Sequence, residues 1–396
     1  MYVTTDRDLP DLIRKLENCD ILAVDTEFVR EKTYFHRLGL IQIAGGEVCA
    51  AVDPISVKNL GPLLDLLKRR DKVKVFHAGK QDLEILFRLT GEVVQPIFDT
   101  QVAASLIGWG AQISFAKIVK KVTGKKIYKT ETYTDWCRRP LRQSQIDYAV
   151  DDVRYLVPVY HKVVKQLEKL NRAEWVQEEF RQLADPSNFE LPDPKKQYMK
   201  VKNFRTLKPK NLAVLRELAA WREEQAIKRD CLAKFIIRDE PLLEIARGVP
   251  VSRKELTDIR GFNSREGNSS GDEILKLIQA GMKIPEDQCP QLPESSHYAT
   301  GRGVEELLAA FVQIRSEVLK IEPHMLADRK MIHSFVEAHE KKEDLDQHPL
   351  FHGWRRELIG DDLHLLLEGK RGLTINPNGK VSLIHSPGNN EPPQES

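Results

Sequence analysis

The sequence predicts an α/β domain followed by two all-helical domains. Three observations support this prediction. Short β-branched runs alternate with helical stretches over residues 1–190. A proline-rich segment without clear periodicity precedes a helical block at 209–285, and a second such segment precedes another helical block at 300–375. The remaining residues, 376–396, are rich in Pro, Gly and Asn and predict a flexible tail.

The strands of the α/β domain are predicted from short apolar runs. The first, at 21–24, consists of Ile-Leu-Ala-Val. The next two, at 38–44 and 48–52, are joined by a tight Gly-Gly-Glu turn at 45–47 and therefore predict an antiparallel pair. A further strand is predicted at 72–77, where Lys and Val alternate before Phe and His.

Helical periodicity fills the intervals between these strands. It appears at 60–70 and at 81–91, where Gly91 is typical of a C-cap. The remainder of the α/β domain is mostly helical. The same periodicity returns over 211–282 and again over 304–372, which predicts the two helical domains.

Composition is that of a globular protein with balanced charge. The 396 residues predict two or three domains at about 150 residues each. There are 61 Lys and Arg against 59 Asp and Glu, so the formal net charge is only +2. This balance argues against a surface coated with positive charge, although it does not show how the charges are distributed.

Cysteine spacing and hydropathy exclude several other classes of protein. The five cysteines lie far apart, with neither a CxxC pair nor a histidine at zinc spacing, so neither a disulfide framework nor a structural zinc site is expected. The N-terminal residues contain no apolar signal segment, and no window approaches the ~18 apolar residues of a membrane span. We therefore expect a cytoplasmic protein without a membrane partner.

Two carboxylates follow the first buried strand. Asp25 and Glu27 are two residues apart, and side chains at this spacing in a strand lie on one face. Two such charges repel each other unless a cation lies between them. Alternatively, the pair consists of ordinary surface acids at a strand end.

Two later segments add acids in similar positions. Asp82 falls at the start of the helix after the strand at 72–77, where an N-terminal acid that interacts with the helix dipole is the simpler interpretation. Tyr148 and Asp152 are four residues apart and share a helix face, a spacing that also suits a local hydrogen bond. This spacing favours Asp152 over Asp151 as the inward-facing acid.

Four segments that carry or flank these residues resemble one family when they are taken in order. They read VDTEFVREKTYFHRLGLIQIA, VFHAGKQDLEIL, FDTQVAASLIG and TDWCRRPLRQSQIDYAVDDVRYL. This order is similar to the DEDD superfamily of 3′–5′ exonucleases, in its tyrosine-containing branch, and within it to the ribonuclease D family. The resemblance runs from Asp25 to Leu156 and implies an RNase H-like α/β exonuclease domain.

The resemblance also implies a metal site and a role for each residue. Asp25 would bridge two divalent cations, Glu27 and Asp152 would complete the site of the first, and Asp82 would hold the second. Tyr148 would orient the attacking water. Carboxylate oxygens suit Mg²⁺ or Mn²⁺, and two such cations stabilise the negative charge that develops when a phosphodiester is hydrolysed.

Other polar and aromatic side chains near the acids receive no catalytic role. His77 is interpreted as structural, because the position that holds a catalytic His in other branches of the superfamily is Tyr148 here. The remaining candidates either shape a nucleotide pocket or pack in the core; they are Phe28, Gln42, Asp99, Gln101 and Trp136.

Two basic segments are candidate nucleic-acid contacts. Residues 117–129 hold six lysines and no acid, and the candidate contacts among them are Lys117, Lys120, Lys121, Lys125 and Lys126. Residues 195–216 hold eight Lys or Arg, with Tyr198 and Phe204 interleaved for base stacking. Each run on its own is equally typical of a solvated face.

The two helical blocks resemble HRDC domains, which are small bundles that bind nucleic acids. The block at 209–285 does so through LRELAAWREEQAIKRD and PLLEIARGVPVSRKELTDIRGF, and the block at 300–375 through HPLFHGWRRELIGDDLHLLLEGK. A Gly- and Ser-rich loop is predicted before a helix near 267–271, where Arg260 or Arg265 would meet phosphates. A packing or spacing bundle is the alternative.

The resemblance implies a 3′–5′ exoribonuclease that releases 5′-mononucleotides and matures the 3′ ends of tRNA precursors. The helical domains would admit a single-stranded 3′ tail and hold the structured body outside, and the enzyme is expected to be a monomer. One alternative is a DNA exonuclease of the same chemistry, since discrimination of RNA requires 2′-OH contacts that the sequence does not locate. Another is a non-catalytic RNA-binding protein on the same fold.

Overall fold

The structure, a computed structural model, describes residues 1–127, 131, 134–262, 264–292 and 302–385, and for 264, 265, 267, 268 and 302 the backbone alone. Its N-terminal part contains a six-stranded mixed sheet in the order β1-β4-β3-β2-β5-β6. The strands are β1 (Tyr2–Val3), β2 (Ile21–Val29), β3 (Arg37–Gly45), β4 (Val48–Val52), β5 (Val73–Phe76) and β6 (Ile97–Asp99). The predicted antiparallel pair is confirmed as β3 and β4, and β2 joins them as a third antiparallel strand.

Eight helices accompany this sheet. They are α1 (Leu9–Leu16), α2 (Gly61–Lys68), α3 (Lys80–Thr90), α4 (Thr100–Leu106), α5 (Phe115–Thr123), α6 (Gln143–Arg154), α7 (Leu156–Lys169) and α8 (Ala173–Leu183). Helix α6 forms a small core with the sheet, in which Ala149 and Val150 pack with Leu40 and Ala51. Through these contacts the helix lies over β3 and β4, and it also contacts β2.

Register within the sheet places the two acids of β2 on one face. Asp25 lies directly opposite Gln42 of β3, and Glu27 lies opposite Leu40. Residues two apart in a strand share a face, so Asp25 and Glu27 point to the side that α6 covers. A register irregularity follows between Glu27 and Phe28, where the strand leaves the core.

The first helical block has a hydrophobic core of its own. Its helices are α9 (Pro209–Lys228), α10 (Ala233–Ile236), α11 (Asp239–Gly248), α12 (Arg253–Asp258) and α13 (Ser264–Lys283). Short 3₁₀ turns precede it at Pro186–Asn188, Pro194–Lys200 and Phe204–Thr206. Val201 and Leu207 of this linker are buried in the block's core. Tyr198 and Phe204, expected to stack bases, are partly buried against this core and pack edge to face, with centroids 5.9 Å apart.

The predicted Gly- and Ser-rich loop is wrong, because these residues lie inside α13. Glu266 is buried at 5% exposure and accepts two hydrogen bonds from the Arg229 guanidinium, at 2.9 and 3.1 Å. The Ser270 hydroxyl also donates to Glu266, at 2.6 Å. This buried network stabilises the helix where its own Gly and Ser residues have low helix propensity.

The second helical region packs against the α/β domain. It contains α14 (Arg302–Leu319), α15 (Pro323–Leu326), α16 (Arg329–Glu340), α17 (Gly353–Arg355) and α18 (Asp361–Leu367), with a π-helical turn at Arg356–Gly360. Its buried residues, such as Leu308 and Phe311, join the same apolar cluster as those of the α/β domain. The region is helical as predicted, but among the described residues its core is continuous with that of the N-terminal part. None of the described helices is long and apolar enough to cross a membrane.

Polar contacts reinforce this junction. The Arg172 guanidinium, 7% exposed, donates to the carbonyl oxygens of Leu106 and Leu319, at 2.5 Å each, and of Lys320, at 3.2 Å. Trp175 stacks on Trp354 with ring centroids 5.3 Å apart. The N-terminal and C-terminal parts of the chain are therefore joined through buried surface.

The C-terminal residues differ from the predicted flexible tail. Strands β7 (Arg371–Ile375) and β8 (Val381–His385) pair as an antiparallel hairpin. The turn between them is closed by Asn376, whose side chain accepts from two backbone N–H groups. The Asn, Pro and Gly residues at 376–379 thus form a turn, and residues 381–385 form a strand. The remainder of the predicted tail, 386–396, lies outside the described residues.

The β2–β3 connection, residues 30–36, contacts the first helical block. The Tyr34 hydroxyl donates to the Glu223 carboxylate, and the Phe35 N–H donates to the Asp230 carboxylate at 3.0 Å. The carbonyl oxygen of Lys32 accepts from the backbone N–H of Leu232, at 3.3 Å. The connection that leaves the acid-bearing strand therefore also holds the helical block.

Candidate active site

Three carboxylates converge at the junction of β2 and α6. Asp25 and Glu27 from β2 and Asp152 from α6 each offer an oxygen, and these oxygens lie within 4.8 Å of one another. All three side chains are half-buried. Oxygen ligands at this spacing are what a hard divalent cation requires. The structure thus brings together three of the acids that the sequence analysis singled out.

Asp82 lies in the first turn of α3 and is only 7% exposed. One of its carboxylate oxygens accepts from the Thr26 N–H at 3.0 Å and from the Thr26 hydroxyl. Thr26 sits between the two acids of β2, so its contacts fix Asp82 relative to Asp25 and Glu27. Burial raises the pKa of Asp82 to about 6, although the hydrogen bonds from Thr26 oppose this rise.

Crowding of negative charge dominates the electrostatics of the site. Burial, followed by the charges of Asp82, Asp152 and Glu27, raises the pKa of Asp25 well above its ordinary value. Burial and the charges of Asp152 and Asp82 raise the pKa of Glu27 to about 8. A bound cation would offset these repulsions. The four carboxylates therefore fit a divalent metal ion.

A tight turn positions Asp82. The Asp99 carboxylate accepts from the N–H groups of Ala78 and Gly79, at 3.2 and 2.8 Å, and also caps α4. A Cβ atom on Gly79 would lie 2.4 Å from the Cβ of Phe76, so only glycine fits this approach. The sequence predicted that Asp99 either shapes a nucleotide pocket or packs in the core. Its hydrogen bonds show that it stabilises the turn before α3 and the start of α4.

Tyr148 lies one helical turn before Asp152 on α6. Its ring stacks on Trp136, with centroids 6.2 Å apart. Burial and the nearby carboxylates raise the pKa of Tyr148, so its hydroxyl remains protonated at neutral pH. The backbone of Trp136 lies close to Gly39 of β3. A Cβ atom on Gly39 would lie 2.6 Å from the Trp136 carbonyl oxygen, so this approach requires glycine. The phenol is therefore a fixed donor beside the acids.

His77 contacts the protein through both ring nitrogens. Nδ1 lies 2.9 Å from the Thr100 hydroxyl, and Nε2 lies 3.0 Å from the carbonyl oxygen of Ile113. These contacts tie the end of β5 to α4 and to the segment before α5. They agree with the structural role that the sequence predicts for this histidine.

Comparisons with known proteins place this arrangement in a family. A family model described as 3′-5′ exonuclease matches residues 1–168, and one for the HRDC domain matches residues 211–278. Ribonuclease D of Bartonella henselae is 35% identical over 383 residues, which cover 96% of this chain and 93% of that protein. The chain belongs to the ribonuclease D family. Ribonuclease D of Cronobacter turicensis is 36% identical over 92% of this chain and 99% of its own length.

Solved structures of ribonuclease D and a relative agree with this membership. Escherichia coli RNase D, described as an exoribonuclease involved in structured RNA processing, matches with a TM-score of 0.84 and 33% identity. The match covers 93% of this chain and 98% of that chain. The catalytic core of RRP6 from Trypanosoma brucei matches with a TM-score of 0.57 and 26% identity, over 71% of this chain and 79% of its own.

This ribonuclease D family member is therefore a 3′–5′ exoribonuclease. Its N-terminal part is the RNase H-like exonuclease domain, and its first helical block is an HRDC domain. Its C-terminal region is helical. The exact boundaries at 190, 209, 285 and 300 stay predictions.

A cleft of about 410 Å³ opens beside the acids of this ribonuclease D. Its walls include Tyr148 and Asp152 from α6, with Phe115, Lys126 and Tyr155 around them. The other predicted lysines, Lys117, Lys120, Lys121 and Lys125, are exposed on α5 and just after it. The predicted segment ends at Lys129, which lies outside the described residues. The cleft thus joins the carboxylates to a basic surface.

The second basic segment of this ribonuclease D is partly engaged within the protein. Lys195 pairs with Glu217, and Lys210 donates to the carbonyl oxygen of Ile284. Arg260 of the HRDC domain is exposed, and the side chain of Arg265 lies outside the described residues. Among the predicted nucleic-acid contacts whose side chains are described, only Lys126 lines the cleft at the acids.

Two residues of the site were given no role from the sequence of this ribonuclease D. Thr26 received no role. Because it stands between two acids, its side chain lies on the strand face opposite to theirs. Gln42 was expected either to shape a nucleotide pocket or to pack in the core. In the structure it lies directly opposite Asp25 in the strand register. The signal for Thr26 is strand alternation, and the signal for Gln42 is a polar side chain within the apolar run LIQIA.

Proposed function

We propose that this exoribonuclease removes 5′-mononucleotides one at a time from RNA 3′ ends, and that two divalent cations, Mg²⁺ or Mn²⁺, bind at the four carboxylates. The convergence of the oxygens of Asp25, Glu27 and Asp152 within 4.8 Å carries this proposal. Asp82 is held beside them through Thr26. Among the residues that the structure describes, no Cys or His takes part in the cluster, so its ligand chemistry favours hard cations.

Each acid has a distinct role in this proposal. Asp25 would contact both cations, Glu27 and Asp152 would complete the site of the first, and Asp82 would hold the second. The cations would stabilise negative charge on the attacking and leaving oxygens of the phosphodiester. The protonated hydroxyl of Tyr148 orients the attacking water, because its ring is fixed against Trp136 and its proton is retained.

The RNA 3′ end is proposed to enter through the cleft beside α6. Lys126 would contact a backbone phosphate there, and the rings of Phe115 and Tyr155 would offer surfaces for base stacking. The exposed lysines of α5 extend this basic path. The HRDC domain, through Arg260, would contact the RNA body, and precursors of tRNA with single-stranded 3′ tails are the proposed substrates. A monomeric state and a cytoplasmic location stay predictions.

One digestion tests the reaction. A tRNA precursor with a labelled 3′ tail is incubated with the protein and either Mg²⁺ or Mn²⁺, and the released products are identified. We expect 5′-mononucleotides that appear from the 3′ end. Asp25→Asn should abolish hydrolysis and retain RNA binding in a gel-shift assay. Hydrolysis by Asp25→Asn, or by the wild type in excess chelator, would overturn the metal assignment.

A second digestion tests the choice of sugar. Matched single strands of RNA and DNA are supplied at equal concentration under the same conditions. We expect the protein to degrade RNA faster than DNA, with a kcat/KM at least about tenfold higher for RNA, because DNA lacks the 2′-OH contact. Equal rates would favour an exonuclease that acts on both nucleic acids.

A further inference from the structure

Gln42 is a fully buried amide that has no hydrogen-bond partner among the described residues. Its side chain is 0% exposed, and within that part of the chain neither its amide nitrogen nor its amide oxygen has a partner. Buried amides of this kind are uncommon in folded proteins, because the group gives up its contacts with water and receives nothing in return. An explanation specific to this position is therefore required.

The sheet places Gln42 directly across from an acid of the active site. In the antiparallel pair of β2 and β3, Gln42 is the register partner of Asp25. On its other side it is the partner of Ala51 in β4. Directly opposite residues in such a pair project to the same face, with Cβ atoms about 4.5–5.5 Å apart. The amide of Gln42 thus extends along the face on which the carboxylate of Asp25 lies.

The register neighbours of Gln42 differ in what they offer to an amide. Ala51, opposite it in β4, belongs with Leu40 and Val150 to the small core under α6, and these three side chains offer no acceptor. The Asp25 carboxylate, opposite it in β2, is a charged acceptor. Glutamine supplies a donor without a positive charge, so it would hold the carboxylate without competing with a cation for it.

We propose that Gln42 is a positioning residue for the metal site, whose Nε2–H donates to the Asp25 carboxylate when divalent cations are bound. This inference rests on the proposed function. A carboxylate that ligates a metal keeps further lone pairs, and a second hydrogen bond fixes its orientation. Gln42 thereby sets the direction in which Asp25 presents its oxygens to the cations.

The test compares Gln42→Leu with a matched glutamine variant. Leu removes both polar amide atoms at similar volume. Gln197→Leu serves as the control, since Gln197 is also buried, at 6% exposure, but donates to the Asp193 carbonyl oxygen at 2.8 Å. The melting temperature of each metal-free protein is measured, and Mn²⁺ is then titrated by isothermal calorimetry.

The two variants should respond in opposite ways. Gln42→Leu should melt no lower than the wild type without metal, because it removes an amide that has no partner there, and its Mn²⁺ dissociation constant should rise about 10- to 100-fold. Gln197→Leu should melt lower and bind Mn²⁺ like the wild type. At saturating Mn²⁺, hydrolysis by Gln42→Leu should recover towards the wild-type rate.

Two results would overturn the inference. One is an unchanged Mn²⁺ affinity in Gln42→Leu, and the other is a metal-free melting temperature clearly below that of the wild type, which would show a purely structural amide. Failure of the wild type itself to bind Mn²⁺ would instead contradict the proposed metal site. The wild-type titration therefore separates the two proposals.

Discussion

Thr26 donates to a single carboxylate oxygen of Asp82 through both its backbone N–H and its side-chain hydroxyl. Thr26→Val keeps the shape of the residue and its backbone bond but removes the hydroxyl donor. We expect kcat to fall about 10- to 100-fold, since an acid of the metal site loses its orientation. The pKa of Asp82 should also rise further, because a hydrogen bond that lowers it is lost. Steady-state hydrolysis of a labelled RNA measures the effect.

Thr26→Ser is the matched control, because serine keeps the hydroxyl. It should retain most of the wild-type kcat at saturating metal. If valine and serine variants are equally active, the hydroxyl of Thr26 has no part in placing Asp82.

Removal of metal should make folding stability depend on pH through Glu27. Its pKa is about 8 in the folded protein against an ordinary value of 4.5. Below about 4.5 the group is protonated in both states and has no effect. Between pH 4.5 and about pH 8 the carboxyl is ionised in the unfolded chain but still protonated in the folded protein. The free energy of unfolding therefore falls as pH rises, and its full decrease is reached above about pH 8. We expect a loss on the order of 1–3 kcal/mol after solvent screening.

Thermal melting from pH 5 to pH 8.5 in excess chelator checks this expectation. Glu27→Gln should show a flatter profile, because its amide does not titrate. Added Mg²⁺ should raise the wild-type melting temperature most at the alkaline end. Wild-type and Glu27→Gln profiles that run parallel would contradict the assigned pKa shift.

Asp53 and Arg139 should stabilise the protein with the opposite pH dependence. Asp53 is 1% exposed, and Arg139 donates two hydrogen bonds to it, at 2.7 Å each. Burial alone would raise the pKa of Asp53, but the bonds from Arg139 and nearby groups lower it to about 2. The stabilisation is present above an ordinary pKa of 3.8 and is lost as pH falls towards 2.

Arg139→Met should lower the free energy of unfolding by about 3–5 kcal/mol, because it leaves Asp53 buried without its partner. Arg139 also donates to the Trp136 carbonyl oxygen at 2.7 Å, so kcat should fall as the support behind Tyr148 loosens. Urea unfolding at pH 7 and at pH 3 measures the stability. Arg138→Met, at an exposed neighbour, should change neither value.

Lys126 should contribute one phosphate contact to RNA binding. Lys126→Gln should weaken binding for all RNA sequences alike and reduce the slope of log K against log salt by about 1. Lys15→Gln is the control, since Lys15 pairs with Asp11 on α1 and does not line the cleft. Fluorescence anisotropy with a catalytically inactive background gives both slopes. Equal slopes for the two variants would remove Lys126 from the RNA path.

Arg172 should hold the C-terminal region against the exonuclease domain. Arg172→Met removes the donor from one buried and two partly buried carbonyl oxygens, so we expect a loss of about 2–4 kcal/mol in the free energy of unfolding. Limited proteolysis should also cut the C-terminal region earlier. Arg181→Met, on the exposed face of α8, should behave like the wild type in both measurements.

The sequence was sufficient for the parts of the site that depend on local pattern. Asp25 and Glu27 were predictable because strand alternation places them on one face, and Tyr148 and Asp152 because helical spacing does the same. The antiparallel pair β3 and β4 followed from its short turn. These features are determined within a few residues of the chain.

Other features depend on partners distant in the chain and could not be predicted. Residues 267–271 have the composition of a loop, but they are helical because Arg229 pairs with Glu266 from another helix. The linker cations were expected to meet RNA, yet Lys195 is paired with Glu217. The apolar periodicity of α14 predicts a buried helix face but does not show which part of the protein covers that face. The sequence therefore could not predict that the C-terminal region shares one core with the α/β domain.

The β2–β3 connection constrains how this enzyme can change over evolution. Surface loops usually tolerate insertions and deletions. Here the chain leaves Glu27, contacts the HRDC domain through Lys32, Tyr34 and Phe35, and returns as β3 opposite Asp25. A change in its length would displace either the domain or the strand. We therefore expect this loop to accept substitutions but to keep its length wherever the HRDC domain is retained.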